Sequence, residues 1–267
     1  VLSMYNDPEQ RETEIKNISS VYKTLADEIL PQLRRARLTA NYDVIGRSDE
    51  EINEAFDTDA KVLSANELLY AATLTNDKAR QEAIYKKTTE LYPNDFRAYN
   101  NLGMMAYANG DFTTAENYFK QAASKDANAP EVNTNLGYIE LVKGNVANAE
   151  TYLSKSTGAN TANEALGNLY IKQGQYDRAV QAFGDTKTNS AALAQILAKD
   201  YNKAKNTLNA VKNPDAYTDY LMAIVGARTN NADLVKTSMA KVAQKDATLA
   251  AKAQIDREFA KYANEIK

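Results

Sequence analysis

The chain of 267 residues contains no cysteine, no histidine and no tryptophan. Without cysteine there is no disulfide, no thiol nucleophile and no thiolate metal site. Without histidine the commonest general base and the commonest transition-metal ligand are also missing. Ser-His-Asp and Cys-His catalysis are therefore excluded, and zinc has neither of its preferred donors. An enzyme would have to work through carboxylates, Lys, Tyr or a bound cofactor. No Asp or Glu pair stands out from the ordinary density of charged residues on helix surfaces, so the expectation is a non-enzyme with no catalytic residue, no metal and no cofactor.

Other absences narrow the class further. Only 5 prolines and 10 glycines occur, and the abundance of Ala, Asn, Lys, Glu and Leu favours helices over strands. No apolar run approaches the roughly 20 residues that span a bilayer. The formal net charge of -3 leaves no basic footprint for nucleic acid. The first residues include neither an initiator Met nor a signal peptide, which suggests a mature or excised piece of something longer. Hydrophobic residues at 44% and charged residues at 25% are ordinary for a folded soluble domain.

What is present is an internal repeat. Leu68-Leu69, Leu102-Gly103, Leu136-Gly137 and Leu166-Gly167 follow one another at spacings of 34, 34 and 30 residues. Fixed offsets carry further matches: Tyr99, Gly110, Phe112, Ala115, Phe119 and Ala122 around the second; Gly144, Val146, Ala149 and Leu153 around the third; Tyr170, Gly174, Tyr176, Ala179 and Phe183 around the fourth. Small residues let two helices approach, larger ones fill the space between pairs, and Gly110, Gly144 and Gly174 sit where a first helix ends left-handed. The second helices then begin at Asp111-Phe112, Asn145-Val146 and Gln175-Tyr176, with Asp or Asn able to cap.

This pattern resembles the tetratricopeptide repeat, which implies an all-α solenoid, an α-α superhelix of five or six helix pairs that binds protein rather than catalysing a reaction. Residues 62–95 read as a first repeat that ends in Tyr92-Pro93-Asn94-Asp95, has Asn76-Asp77 in place of a turn glycine, and carries its small residue Ala83 out of place. After residue 188 the pattern degrades. Asp200-Tyr201, Ala204 and Leu208 match a second helix, residues 214–246 read as two helices opened by Asn213-Pro214, and residues 247–265 read as one polar amphipathic capping helix.

The first 58 residues differ from the solenoid at 59–267. Asp7-Pro8 and the helical spacing of Ile15, Ile18, Tyr22, Leu25 and Ile29 predict a helix over 8–30, ended or kinked by Pro31. Alternation from Arg37 to Ile45 predicts a short strand. The run Leu30-Pro31-Gln32-Leu33-Arg34-Arg35-Ala36-Arg37-Leu38-Thr39 resembles the closing helix and strand of OmpA-like domains. That resemblance implies a periplasmic or outer-membrane location, as in Bacteroidales envelope proteins, with association to the outer membrane or peptidoglycan made through upstream sequence. The peptidoglycan-binding motif of that family has no counterpart here, so its activity is not carried over. The other reading makes residues 8–58 extra helices capping the solenoid, with Arg34, Arg35 and Arg37 a solvated face and a cytoplasmic location open. Ser48 and Glu51 have capping-box spacing, and Asp57-Thr58-Asp59 is expected to cap the next helix.

The repeat resemblance implies that first helices line a concave surface. Its positions lie two before, two after and five after each Leu: Asn66, Tyr70 and Thr73; Asn100, Met104 and Tyr107; Thr134, Tyr138 and Leu141; Glu164, Asn168 and Ile171. Arg97 extends the row by a turn. Tyr, Met and Asn suit an extended or helical peptide, so a protein or peptide partner is expected. Asn101 and Asn135 match positions that hold peptide backbones or carboxylates in such repeats, and helix-to-helix hydrogen bonding is the competing role for the asparagines. With only Arg97 beside them, a clamp for a C-terminal carboxylate is incomplete.

Overall fold

The structure, a computed structural model, describes residues 7–17, 23–29, 46–264 and 266. The chain divides into two units, residues 1–46 and 47–267. In the first, helix α1 spans Pro8–Asn17, where Pro8 occupies a first-turn position that needs no N–H donor and the Asp7 carboxylate accepts from the Glu9 N–H at 3.1 Å. A π-helical turn covers Leu25–Ile29. Pro31, the arginines at 34, 35 and 37 and the strand expected over Arg37–Ile45 lie outside the described residues. Among the described residues there is no strand.

The second unit begins with α2 (Asp49–Asp59), and the Ser48–Glu51 capping box forms in both directions. Asp59 then caps the short 3-10 turn Ala60–Val62 by accepting from the Lys61 N–H. Ile52 of α2 is buried with Leu63, Leu68 and Ile84, so this helix shares the core of the first repeat. Six helical hairpins follow. They are α3 (Ala65–Ala71) with α4 (Lys78–Leu91), α5 (Phe96–Ala108) with α6 (Phe112–Lys125), and α7 (Pro130–Lys143) with α8 (Val146–Leu153). Then come α9 (Ala162–Lys172) with α10 (Tyr176–Phe183), α11 (Asn189–Leu197) with α12 (Tyr201–Asn209), and α13 (Ala216–Arg228) with α14 (Ala232–Lys245).

One register runs through the hairpins. A Cβ on Gly103, Gly137 or Gly167 would lie 2.5 Å from Phe119, Leu153 or Phe183, each sixteen residues later. Seven residues after each of these glycines the chain turns left-handed, at Gly110, Gly144 and Gly174. The same counts continue where Leu-Gly is lost. Ala192 and Ala223 take the small-residue place, Leu208 and Met239 follow sixteen residues on in the same cores, and Lys199 (φ 65°) and Asn230 (φ 54°) make the left-handed turns. Alanine is small enough for the close approach, so the fold persists without the signature.

Local chemistry departs from expectation at several ends. Asp111 caps α6, but Asn145 and Gln175 make no capping bond. Asn145 instead donates to Glu140 Oε2 at 3.0 Å. Ala83 is exposed, and its expected place is taken by half-buried Gln81. The Gln81 amide donates to the carbonyls of Ala72 at 3.2 Å and Thr75 at 2.8 Å, closing a helix end that lacks glycine. Helix α13 starts at Ala216, not at Pro214. Asp215 rather than Asn213 is its cap, in a box with Thr218, because only Asp215 can accept the Thr218 N–H at 2.8 Å. The C-terminal segment is not one polar helix either. α15 (Ala247–Gln254) stops, Asp256 caps a 3-10 turn Arg257–Tyr262, and Phe259 and Tyr262 are buried. The break lets both aromatic rings enter the core shared with Ala223, Val235, Met239 and Val242.

Repeats two and three are also bridged by charge. Lys120 and Lys143 both pair with Glu116, at 2.7 and 2.6 Å, and Lys143 reaches Glu140. Burial raises the Glu140 carboxyl, but donors from Asn145, Asn148 and Lys143 outweigh it and hold it below the ordinary range.

Candidate protein-binding groove

The first helices α5, α7, α9 and α11 supply one inner face. Between them lies an open cavity of about 650 Å³ lined by Tyr107, Tyr138, Leu141, Val142, Glu164, Asn168, Ile171, Lys172, Ser190 and Leu193. Tyr107 and Tyr138 lie with ring centroids 6.3 Å apart, and Tyr107 meets Phe112 edge-on at 5.2 Å. Burial pushes both phenols up, and the Glu164 carboxylate adds to the effect on Tyr138. Both hydroxyls therefore stay protonated and able to donate. The walls are apolar at Leu141, Val142, Ile171 and Leu193, which suits a partner side chain, while Asn168, held by its bond to the Glu164 carbonyl at 3.0 Å, gives a fixed polar point.

The remaining predicted positions divide into two groups. Tyr70 and Met104 are 46% and 45% exposed and continue the face toward the N-terminal end. Tyr70 donates to Asp49 Oδ1 at 3.0 Å, so α2 already engages it. Asn66 and Thr73 are exposed, and Asn66 accepts from Arg97 Nη1 at 2.9 Å. Arg97 is further gripped by Asp95 at 2.5 Å, and that hydrogen bond holds the Asp95 carboxyl low. Its charge is thus already neutralised, which weakens it as a clamp for a ligand carboxylate.

Three of the asparagines, Asn100, Asn101 and Asn135, bond within the scaffold. Asn135 Nδ2 donates to Asn100 Oδ1 at 2.8 Å, and both side chains are buried between α5 and α7. Asn101 is half-buried, and its amide meets the Tyr85 hydroxyl of α4. Thr134 is fully buried and donates to the Pro130 carbonyl at 2.8 Å. Thus Asn100, Asn135 and Thr134, expected on the groove, lie inside the stack. Residues that sequence reasoning missed are Val142, Lys172, Ser190 and Leu193. A signal for Leu193 existed: counting the register through Ala192 puts it two after Ala191, the same offset as Tyr138 and Asn168.

The fold and this inner face define an all-α superhelix of the tetratricopeptide kind. Models of the tetratricopeptide repeat match residues 84–117, 101–164 and 164–187, the middle of the chain. Among solved structures, the APC/C hetero-tetramer Cut9–Hcn1 is similar at a TM-score of 0.64 and 15% identity, over 80% of this chain and 44% of that one. This chain therefore spans less than half the length of that relative. A tetratricopeptide repeat protein from Parabacteroides merdae ATCC 43184 is similar at 0.55 and 12% identity, over 96% of this chain and 99% of that one. PilW, a widely conserved type IV pilus biogenesis factor, gives 0.54 and 18%, over 74% and 97%. At these identities the likeness is one of fold. No curated protein matches the sequence. Among the described residues no helix is long and apolar enough to cross a membrane, and no group of His, Cys, Asp or Glu could hold a metal ion.

Proposed function

We propose that this protein is a non-enzymatic scaffold that binds a peptide or protein segment along its concave face. The observation that carries the reading is the open cavity walled by Tyr107, Tyr138, Leu141, Ile171 and Leu193, with protonated phenols at one side. Rigid aromatic anchors beside apolar walls are the chemistry of interface hot spots, and they come from four consecutive repeats. The absence of histidine and cysteine from the sequence leaves this face without an imidazole base or a thiol nucleophile. The test is recovery of partners on the immobilised chain, comparing wild type with Tyr107→Ala and Tyr138→Ala, alone and combined with Tyr70→Ala. Equal recovery by wild type and the triple variant overturns the groove assignment, provided circular dichroism shows that the variant is folded.

The working place we assign is the bacterial cell envelope, in the periplasm or at the outer membrane, on the likeness of Leu30–Thr39 to the closing part of OmpA-like domains. The same likeness favours a second reading, in which the solenoid is the spacer of a peptidoglycan- or glycan-associated OmpA-like outer-membrane protein. Fractionation of cells making the epitope-tagged protein tests both. Recovery of the tag in the cytosolic fraction removes both, and failure to co-sediment with peptidoglycan removes the second.

A further inference from the structure

The inner faces of α9 and α13 are equivalent by register, but among the described residues the chain covers only one of them. On α13 the positions two before, two after, five after and six after Met222 are Tyr220, Ile224, Ala227 and Arg228. Two of them, Tyr220 and Arg228, contact the C-terminal segment directly, and the other two border the core it shares. Tyr220 donates to Asp256 and its ring meets Phe259 edge-on at 5.6 Å. Ile224 and Ala227 pack against the cluster around Phe259, and Arg228 Nε donates to Glu258 Oε2 at 2.6 Å. Counted from Leu166, the same four positions on α9 are Glu164, Asn168, Ile171 and Lys172, and all four line the open cavity. The tail on α13 is thus a worked case of how a segment sits on this face.

The charges on α9 specify how its own occupant must differ. Lys172 repeats the cation of Arg228, so a carboxylate belongs against it. Glu164 stands where α13 has Tyr220, so the carboxylate to which Tyr220 donates would here meet a like charge. Neither Glu164 nor Lys172 makes an ion pair among the described residues. Eight residues of helix separate them by about 12 Å along the axis. Side chains from a short crossing segment span that distance, as Asp256 and Glu258 do on α13.

We infer that the α9 groove takes a partner segment patterned like the tail with its leading charge reversed. It carries Lys or Arg against Glu164, Asp or Glu two residues later against Lys172, and an aromatic side chain next to that acid, seated on Ile171 and Tyr138. The inference rests on the groove reading and adds the chemistry of the ligand. By the same pattern the chain's own tail is a poor fit to α9, since Asp256 would face Glu164.

The test uses the full chain and fluorescent peptides with the sequence of residues 253–262, read by anisotropy. The peptide with Asp256→Lys is expected to bind at least about tenfold tighter than the unchanged sequence, the effect of one close charge pair gained and one repulsion removed. Lys172→Glu in the protein is expected to lose about tenfold toward that peptide, and adding Glu258→Lys to the peptide is expected to restore it. No preference for the Asp256→Lys peptide, or no rescue by the swapped pair, overturns the inference. A parallel selection of random displayed 12-residue peptides on the wild-type chain, depleted on the Tyr107→Ala/Tyr138→Ala variant, separates the two levels. Enrichment of peptides lacking the charge pattern overturns this inference and leaves the groove reading standing, whereas enrichment of none overturns both.

Discussion

Gly103 faces Phe119 so closely that a Cβ on the glycine would lie 2.5 Å from the ring's Cε1 and 2.6 Å from Cδ1. In an unconstrained helix, Gly→Ala would gain roughly 1 kcal/mol. Here the added methyl strikes an aromatic edge buried at the centre of the hairpin, so Gly103→Ala is expected to cost about 1–3 kcal/mol by overpacking. Gly167→Ala against Phe183 should behave alike. Gly137→Ala should also destabilise, because the Cγ of buried Leu153, and not only a methyl end, would lie 2.6 Å from the added carbon. Urea unfolding of the three variants checks the sign and size of each change. A double-mutant cycle of Gly103→Ala with Phe119→Leu should show a favourable coupling, since the smaller side chain admits the methyl.

The left-handed turn at Lys199 (φ 65°) does in a charged, β-carbon-bearing residue what Gly174 does in the preceding hairpin. L-residues pay about 1–2 kcal/mol for this conformation, and part of the relief on going to glycine is lost to a freer unfolded chain. Lys199→Gly is therefore expected to stabilise by about 0.5–1 kcal/mol. Asn230 already tolerates the conformation better, so Asn230→Gly should change stability less. Thermal unfolding of the pair tests both.

Those same residues explain how far the fold was legible in sequence. The Leu-Gly ladder gave the register of the second, third and fourth hairpins because glycine is both small and left-handed, so one residue type marks the packing and another copy marks the turn. In the fifth and sixth hairpins alanine meets the packing need and Lys or Asn meets the turn need at some cost, so the geometry continues while the signature vanishes. The groove suffered likewise. Tyr107, Tyr138, Leu141 and Asn168 followed from the ladder, whereas Ser190 and Leu193 lay beyond the last recognisable Leu-Gly. Burial separated the asparagines: no spacing in the sequence says that Asn135 turns inward to meet Asn100.

That inward pair makes its own prediction. Asn135→Ala leaves the Asn100 carbonyl oxygen buried without its 2.8 Å donor, and an orphaned buried acceptor costs about 1–3 kcal/mol. Replacing both by Ala should cost less than the sum of the single changes, because neither then leaves a widow. If Asn135 served a ligand instead, its removal would weaken binding without this loss of stability. Denaturation of the single and double variants distinguishes the roles.

Acid should loosen the N-terminal end of the solenoid through Glu67. Its carboxylate accepts the Ser64 N–H and hydroxyl, each at 2.8 Å, and pairs with Arg47 at 2.7 Å. The Ser64 backbone bond first, then the hydroxyl and Arg47, lower its pKa from the ordinary 4.5 to about 2. Because the folded-state value is depressed, the stabilisation is complete above about pH 4.5 and drains away as pH falls toward 2. Glu67→Gln should thus be less stable than wild type at pH 7, and the gap should close across that window. A constant gap from pH 7 to 2 would refute the assignment.

At the other end the solenoid is closed by its own tail, and stability there should be local. Phe259 is almost fully buried against α13, so Phe259→Ala is expected to cost about 3–5 kcal/mol for its site. In a stacked array each hairpin touches only its neighbours, so this loss is not shared evenly along the chain. It falls first on α13 and α14, whose core residues Ala223, Val235, Met239 and Val242 form one cluster with Phe259, Tyr262 and Ile266. Truncation after Gln254 should act in the same direction and more strongly, because it also removes the Arg228–Glu258 ion pair and the Asp256 acceptor of Tyr220. Native-state hydrogen exchange should then show amides of α13 and α14 exchanging faster by two or more orders of magnitude, with 1.4 kcal/mol corresponding to about tenfold. Protection in α5 to α8, which build the aromatic side of the groove, should stay within about tenfold of wild type. Uniform loss of protection along all six hairpins would instead mean that the array opens as one cooperative body.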